Sequence, residues 1–321
     1  MKLPRFPVSW LLSMSLLSSC ALLPKPSNRL QVEAGYCDPP QVYRYNSADT
    51  PLAELQSVLD SVLTARYSRR NLLVANAAGV LLPLKTLTRL EHLAQQQPTE
   101  ANKLAVLVQR QQVLGRLQLM ATAIASTAAE LDCEGERADQ VAGYLAEQEN
   151  QRVQRLTVLS IGVGAVAGIG TTVFDQKAPQ YAFGVGGGLL TAGLGLLTLT
   201  SHHKILFEHP RNLLTDVWEE KPASALYPPS VWYCLHEKAF SNRGETSVAH
   251  NTRQRWQHYG QLAQPNSPEG RRQQALLFGA GGTYSIDELR IRANMLNELQ
   301  AAVRLISQDL QALLLTLTRA S

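Results

Sequence analysis

Apolar residues near the C-terminus fall at alternating intervals of three and four: Leu289, Leu296, Leu299, Val303, Ile306, Leu310, Leu313 and Leu317, with Arg292 standing where one more is due. That is the a/d rhythm of a helix that buries one stripe. Ser285-Ile286-Asp287-Glu288 precedes it as a capping box, serine and glutamate each accepting from the other's backbone amide. The alternation recurs at Leu107, Leu114, Leu117, Ala121, Ile124, Ala128 and Leu131, broken by Arg110, with Thr99 and Asn102 as caps. A further stripe (Leu52, Leu55, Leu59, Val62) follows Pro51 and predicts a helix that weakens toward Asn76. A shorter piece, Leu81 to Gln97, is punctuated by Pro83 and stopped by Pro98. Residues 51–76, 101–133 and 285–321 are expected to pack as an all-α, elongated helical bundle. Coiled-coil contact between chains is the other use of such stripes.

Two uncharged runs occupy the middle: Leu156–Phe174, 19 residues, and Tyr181–Thr200, 20 residues, around the polar turn 175–180. Each is near the length that crosses hydrocarbon. Ten of the 21 glycines lie between Gly162 and Gly195. In water each would weaken a helix by up to about 1 kcal/mol. In lipid the pairs Gly164-xxx-Gly168 and Gly184-xxx-Gly188 let helix backbones close on one another, with backbone groups satisfied inside each helix. The expectation is a glycine-zipper helical hairpin over 156–200, either in a membrane or buried within protein or an oligomer. Glycine and threonine leave each run only mildly hydrophobic, so neither inserts strongly alone. Only Gly135 and Gly143 interrupt helical character ahead of the first run. One helix over 100–172 would measure about 108 Å, and a bend at Gly135 is expected.

Residues 201–284 read as the least regular part, with Pro222, Pro228, Pro229 and Pro265, while Trp218, Trp232 and Trp256 imply packed structure. His202, His203, Glu208, His209 and His236 follow no ligand spacing, and adjacent histidines face different directions, so they read as solvated or interfacial. Phe278-Gly279-Ala280-Gly281-Gly282 lacks the strand and lysine of a phosphate loop and reads as a hinge. No serine, histidine and acid stand in a nucleophile-elbow context. The chain is expected to be non-enzymatic, with no cofactor and no metal.

A 45% hydrophobic share excludes wholesale disorder. A formal charge of +4, thinly spread, argues against nucleic acid as a partner.

The first twenty residues place the chain. Lys2 and Arg5 precede a short apolar stretch, Val8 to Leu17, too short to span a bilayer, which ends in Leu17-Ser18-Ser19-Cys20. This resembles the lipobox of bacterial lipoproteins. The resemblance implies a signal peptide over 1–19, a diacylglycerol joined through a thioether to the sulfur of Cys20, which becomes the new N-terminus, and a chain of 28 basic (30 − 2) and 26 acidic residues, about +2. Ala21 after the cysteine implies delivery to the outer membrane, facing the periplasm. Two or more acyl chains make such anchoring stable.

Export implies an oxidising compartment for Cys37, Cys133 and Cys234. An antiparallel pairing of 51–90 with 100–133 would bring Cys133 back to where the chain enters its first helix, which favours Cys37–Cys133; three free thiols are the alternative. Arg152, Arg155 and Lys204 sit at the hairpin base, where the positive-inside rule would put cytoplasm and a lipobox puts the outside. The organisation is then 1–19 signal peptide, 20–50 tether and irregular lead-in, 51–155 bundle, 156–200 hairpin, 201–284 irregular segment and 285–321 bundle helix. The expected role is a lipid-anchored envelope scaffold whose hairpin meets membrane lipid, an envelope protein or other copies of the chain. The alternative is a pore-forming or secretion-channel subunit built from oligomerised hairpins, similar to helical pore-forming toxins in layout only.

Overall fold

Two helices carry the architecture of the computed structural model, which describes residues 33–40, 43–46, 50–53, 55, 58–173, 177–199, 203–258 and 262–319. Among these described residues ten α-helices and one two-stranded ribbon make an all-α bundle: α1 Ser61–Arg66, α2 Arg69–Ala77, α3 Leu81–Gln96, α4 Glu100–Val173, α5 Lys177–Leu199, β1 Lys204–Glu208, α6 Leu213–Glu219, α7 Pro229–His236, α8 Val248–His258, α9 Pro268–Phe278, β2 Gly281–Ser285 and α10 Ile286–Arg319. Cys20 and the expected signal segment 1–19 lie outside the described residues.

The C-terminal stripe behaves as its spacing predicts. All eight apolar a/d residues of α10 are buried, and the Arg292 side chain among them is fully shielded. The capping box forms: Ser285 N–H donates to Glu288 Oε2 (2.8 Å) and Glu288 N–H to Ser285 Oγ (3.4 Å). The stripe packs on α4 and α2. Gly135 lies against Ala293–Asn297 while Asp132 meets Arg304, so α4 and α10 run antiparallel.

Helix α4 differs from expectation in two ways. It runs unbroken through Gly135 for 74 residues, about 110 Å at ~1.5 Å per residue. The glycine serves close approach instead of a bend: a Cβ there would stand 2.8 Å from Asn297 Oδ1 and 3.6 Å from Leu296 Cβ. The buried row is Val113, Leu117, Met120, Ile124, Ala128 and Leu131, continuing to Leu145, whereas Leu107 and Leu114 are 62% and 37% exposed. Helix α3 lies beside that end of α4, where Gln109 donates to Pro83 O and Arg110 pairs with Glu91.

The helix expected over 51–76 is two short ones. Asp60 and Ser68 cap α1 and α2, and Tyr67 between them is extended. A side chain that accepts from an amide three residues on competes with continued helix, which is why serine favours a start. Leu52 still packs on the core and exchanges hydrogen bonds with Asn76 (3.0 and 3.1 Å). Pro83 falls in the first turn of α3, where its missing N–H costs nothing.

Residues 203–258 and 262–284 are short elements held by aromatics. Trp256 is fully buried, Trp232 stacks on Tyr227, and Trp218 stacks on Phe278 at 4.3 Å. The glycine run is no hinge. Gly281–Ser285 pairs antiparallel with β1, and Gly281 adopts φ +106° where a Cβ would collide with Phe207 O. Cys37 and Cys133 form a disulfide, Cα–Cα 5.7 Å, which pins residues 33–40 to the middle of α4; Cys234 is free and buried.

Candidate functional site

Beyond Leu145 no residue of α4 is buried until Gly170. Residues 146–155 are a polar neck with four glutamines or asparagines, two glutamates and two arginines. Past it the uncharged run continues the same helix, and α5 returns alongside. The two pack closely on each other, yet almost none of either apolar run is buried. Val158, Ile161, Ile169, Leu189, Leu190 and Leu196 are each more than 60% exposed. Both runs are long and apolar enough to cross a membrane. The hairpin is therefore not buried in this chain's own interior.

The tightest approaches between the arms fall at two further glycines, Gly187 and Gly170. A Cβ at Gly187 would overlap Ala167 Cβ, and one at Gly170 would stand 2.5 Å from the Phe183 ring. Of the four expected positions, Gly164 faces Thr191 (4.0 Å) and Gly184 faces Thr171 (3.5 Å). Gly168 and Gly188 have open space within 4 Å, as do Gly162, Gly186, Gly193 and Gly195. The small-xxx-small spacing marks helices able to approach closely but not the rotation that decides which glycine meets the partner. Thr191 Oγ1 donates to Gly187 O (2.8 Å), returning its hydroxyl to its own helix.

A buried polar cluster roots the hairpin in the bundle. The chain leaving α5 passes through β1 to His209 and Asn212. Arg137 of α4 lies over the Phe207 ring at 4.1 Å and donates to Glu208 O (3.0 Å). Its guanidinium also grips Glu134 through two hydrogen bonds (3.1 and 2.9 Å). Arg292 donates through Nη1 to Asn212 Oδ1 (3.2 Å) and Leu277 O (3.1 Å), with Nη2 3.8 Å from Glu134 Oε2. Asn212 Nδ2 donates to Leu277 O and Gly279 O, closing the network on the end of α9. Tyr284 of β2 donates to Leu276 O and so accepts from His209 Nε2–H (2.8 Å).

Burial, with Arg292 and Arg137 adding repulsion, presses the His209 pKa down to about 2. Burial lifts that of Tyr284 up to about 12. Both groups hold one protonation state across the neutral range, far from the poise an acid–base catalyst uses. They fasten structure.

The histidines expected at the surface divide. His209 is buried in this root, a correction that follows from its Tyr284 partner; His236 packs tilted against Trp232, ring centroids 4.4 Å apart, and the Glu208 side chain is exposed. His202 lies outside the described residues. Among the described residues no three histidine, cysteine or acidic side chains gather in a metal-holding group. Sequence reasoning missed the root, although its signal was visible: a cation at an a/d position requires buried partners. No protein-family model matches the chain, and neither a curated protein nor a solved structure matches it.

Proposed function

We propose that this chain is a lipid-anchored lipoprotein of a bacterial cell envelope, acylated on Cys20 and directed to the periplasmic face of the outer membrane, which acts as a non-enzymatic scaffold through its hairpin. One observation carries the hairpin's part: two adjacent helices of membrane-crossing length expose nearly all their apolar side chains while the bundle below them has a complete core. Contiguous apolar surface on that scale marks a membrane or protein contact. Each fully exposed valine, leucine or isoleucine forgoes about 1.5–3 kcal/mol of burial. The lipobox at Leu17–Cys20 supports the anchor, and the Cys37–Cys133 bond fits an oxidising compartment.

Two measurements on Cys20→Ser test the reading. Palmitate labelling is lost if Cys20 is the acylated residue, and unchanged labelling rejects the anchor. The acyl-free chain remains with membranes or detergent through its hairpin; a freely water-soluble monomer overturns that contact.

A second reading, a pore or secretion-channel subunit, is favoured by the open glycines on the outer faces of both arms, Gly162, Gly168, Gly188 and Gly195 among them. Small residues on such faces admit neighbouring helices. It predicts leakage of liposomes that Gly188→Leu abolishes, whereas the scaffold predicts none.

A further inference from the structure

On α4 the row Leu159, Val166, Ile169 and Val173 is exposed, and Arg155 and Arg152 continue it at the same three- and four-residue spacing. Arg155 to Val173 spans 18 residues, about 27 Å of helix, close to the roughly 30 Å of a bilayer's hydrocarbon. The cations thus stand one hydrocarbon thickness from the hairpin tip. The seam pairs Gly164 with Thr191 and Gly170 with Phe183, so the far end of α5, Leu199, returns beside Leu156. Lys204, exposed, follows five residues later at the same end of the hairpin. Among the described residues Arg152, Arg155 and Lys204 take part in no ion pair. Glu269, whose carboxyl Lys204 helps hold low, is already bound by Arg272 at 2.6 Å.

We propose that Arg152, Arg155 and Lys204 form a headgroup collar for an anionic lipid surface, so that the hairpin enters acidic membranes in preference to zwitterionic ones. This rests on the membrane reading above. Arginine and lysine stems lie along apolar surface while their charged ends reach phosphate, and this collar carries that chemistry at the depth where phosphates sit.

The test reconstitutes the full chain into sealed vesicles, of phosphatidylcholine alone or with one third phosphatidylglycerol, and follows trypsin cleavage after Lys177 by mass spectrometry. Lys177 begins the arm at the tip and is exposed, so its protection reports insertion whatever the acyl chains do. Protection is expected to favour the anionic vesicles, by up to about fivefold for each cation, less the repulsion of Glu147 and Glu149 in the same neck, so on the order of tenfold in all. Half-molar salt and the triple variant Arg152→Gln, Arg155→Gln, Lys204→Gln should each erase the preference but leave insertion into phosphatidylcholine unchanged; Arg152→Lys with Arg155→Lys should keep it. Equal protection in both vesicles, or a preference surviving in the triple variant, overturns the collar alone. Cleavage at Lys177 in every vesicle overturns the membrane reading with it.

Discussion

Arg292 Nη2 lies 3.8 Å from Glu134 Oε2, and nothing of the arginine side chain reaches solvent. Removing one partner of a buried pair leaves the other charge uncompensated, at a cost of about 3–5 kcal/mol. Glu134→Ala should lower the unfolding free energy of the chain in detergent by that amount in urea titration. Glu134→Ala combined with Arg292→Met also removes the buried guanidinium and should recover part of the loss, the remainder reflecting Arg137, which still lacks its carboxylate. If the double variant is no more stable than the single one, Arg292 draws its compensation from Asn212 and Leu277 O instead of Glu134.

Seam and outer face of the hairpin should respond differently to the same substitution. At Gly187 any side chain collides with Ala167, while at Gly188, one residue on, space is open. Disulfide trapping between Gly164→Cys and Thr191→Cys, where a Cβ on residue 164 would stand 4.0 Å from Thr191 Oγ1, reports a closed seam. Gly187→Leu should cut the trapping yield several-fold, and Gly188→Leu should leave it unchanged. Equal loss in both would place the seam elsewhere.

Thiol counting tests the disulfide and the anchor together. Burial pushes the Cys234 thiol up, and no solvent reaches it. The acylated chain should show no maleimide-reactive thiol when native, one in urea without reductant, and three after reduction, because Cys20 sulfur is held in a thioether. An additional thiol that reacts in the native chain would mean Cys20 is free. Replacing Cys37 and Cys133 by serine opens a link 96 residues apart in sequence and should cost about 2–4 kcal/mol.

Periodicity carried much of the fold. The 3-4 rhythm from Leu289 to Leu317 and the Ser285–Glu288 box sufficed for α10, because the stripe is buried along its whole length, chiefly against α4 with α2 beside it. It served less well on α4, where Leu107 and Leu114 share the seven-residue spacing of Leu117 and Ile124 but lie off the face that α3 and α10 cover. A period fixes an angle, not the position of a neighbour. The true register begins at Val113 and reaches Ile124 through Leu117 and Met120. Gly135 and Gly187 were visible as glycines, yet whether a missing Cβ bends a helix or admits another one depends on a contact with residues distant in sequence. The root is harder still. Glu134, His209, Tyr284 and Arg292 come from separate stretches of the chain, and only the charge interrupting an apolar row announced that they would meet.

The root also makes stability depend on pH through His209. Its ring donates from Nε2 to Tyr284, leaving Nδ1 as the protonation site, where the guanidinium groups of Arg292 and Arg137 oppose a second positive charge. The folded chain therefore refuses a proton until about pH 2, whereas the unfolded chain takes it near 6.5. The stability contributed by neutral His209 is complete above that unfolded value and is lost as pH falls toward the folded one, by about 1.4 kcal/mol per unit. Between about pH 7 and 5 the native chain should lose about 2 kcal/mol that His209→Gln does not lose. His236 is held low by burial and the Glu130 carboxyl is raised by it, but both are present in the two chains and cancel in the difference. Urea titrations of both chains across that range check the point. Parallel losses would mean that His209 is protonated within the fold, and the burial assigned to this root would then be wrong.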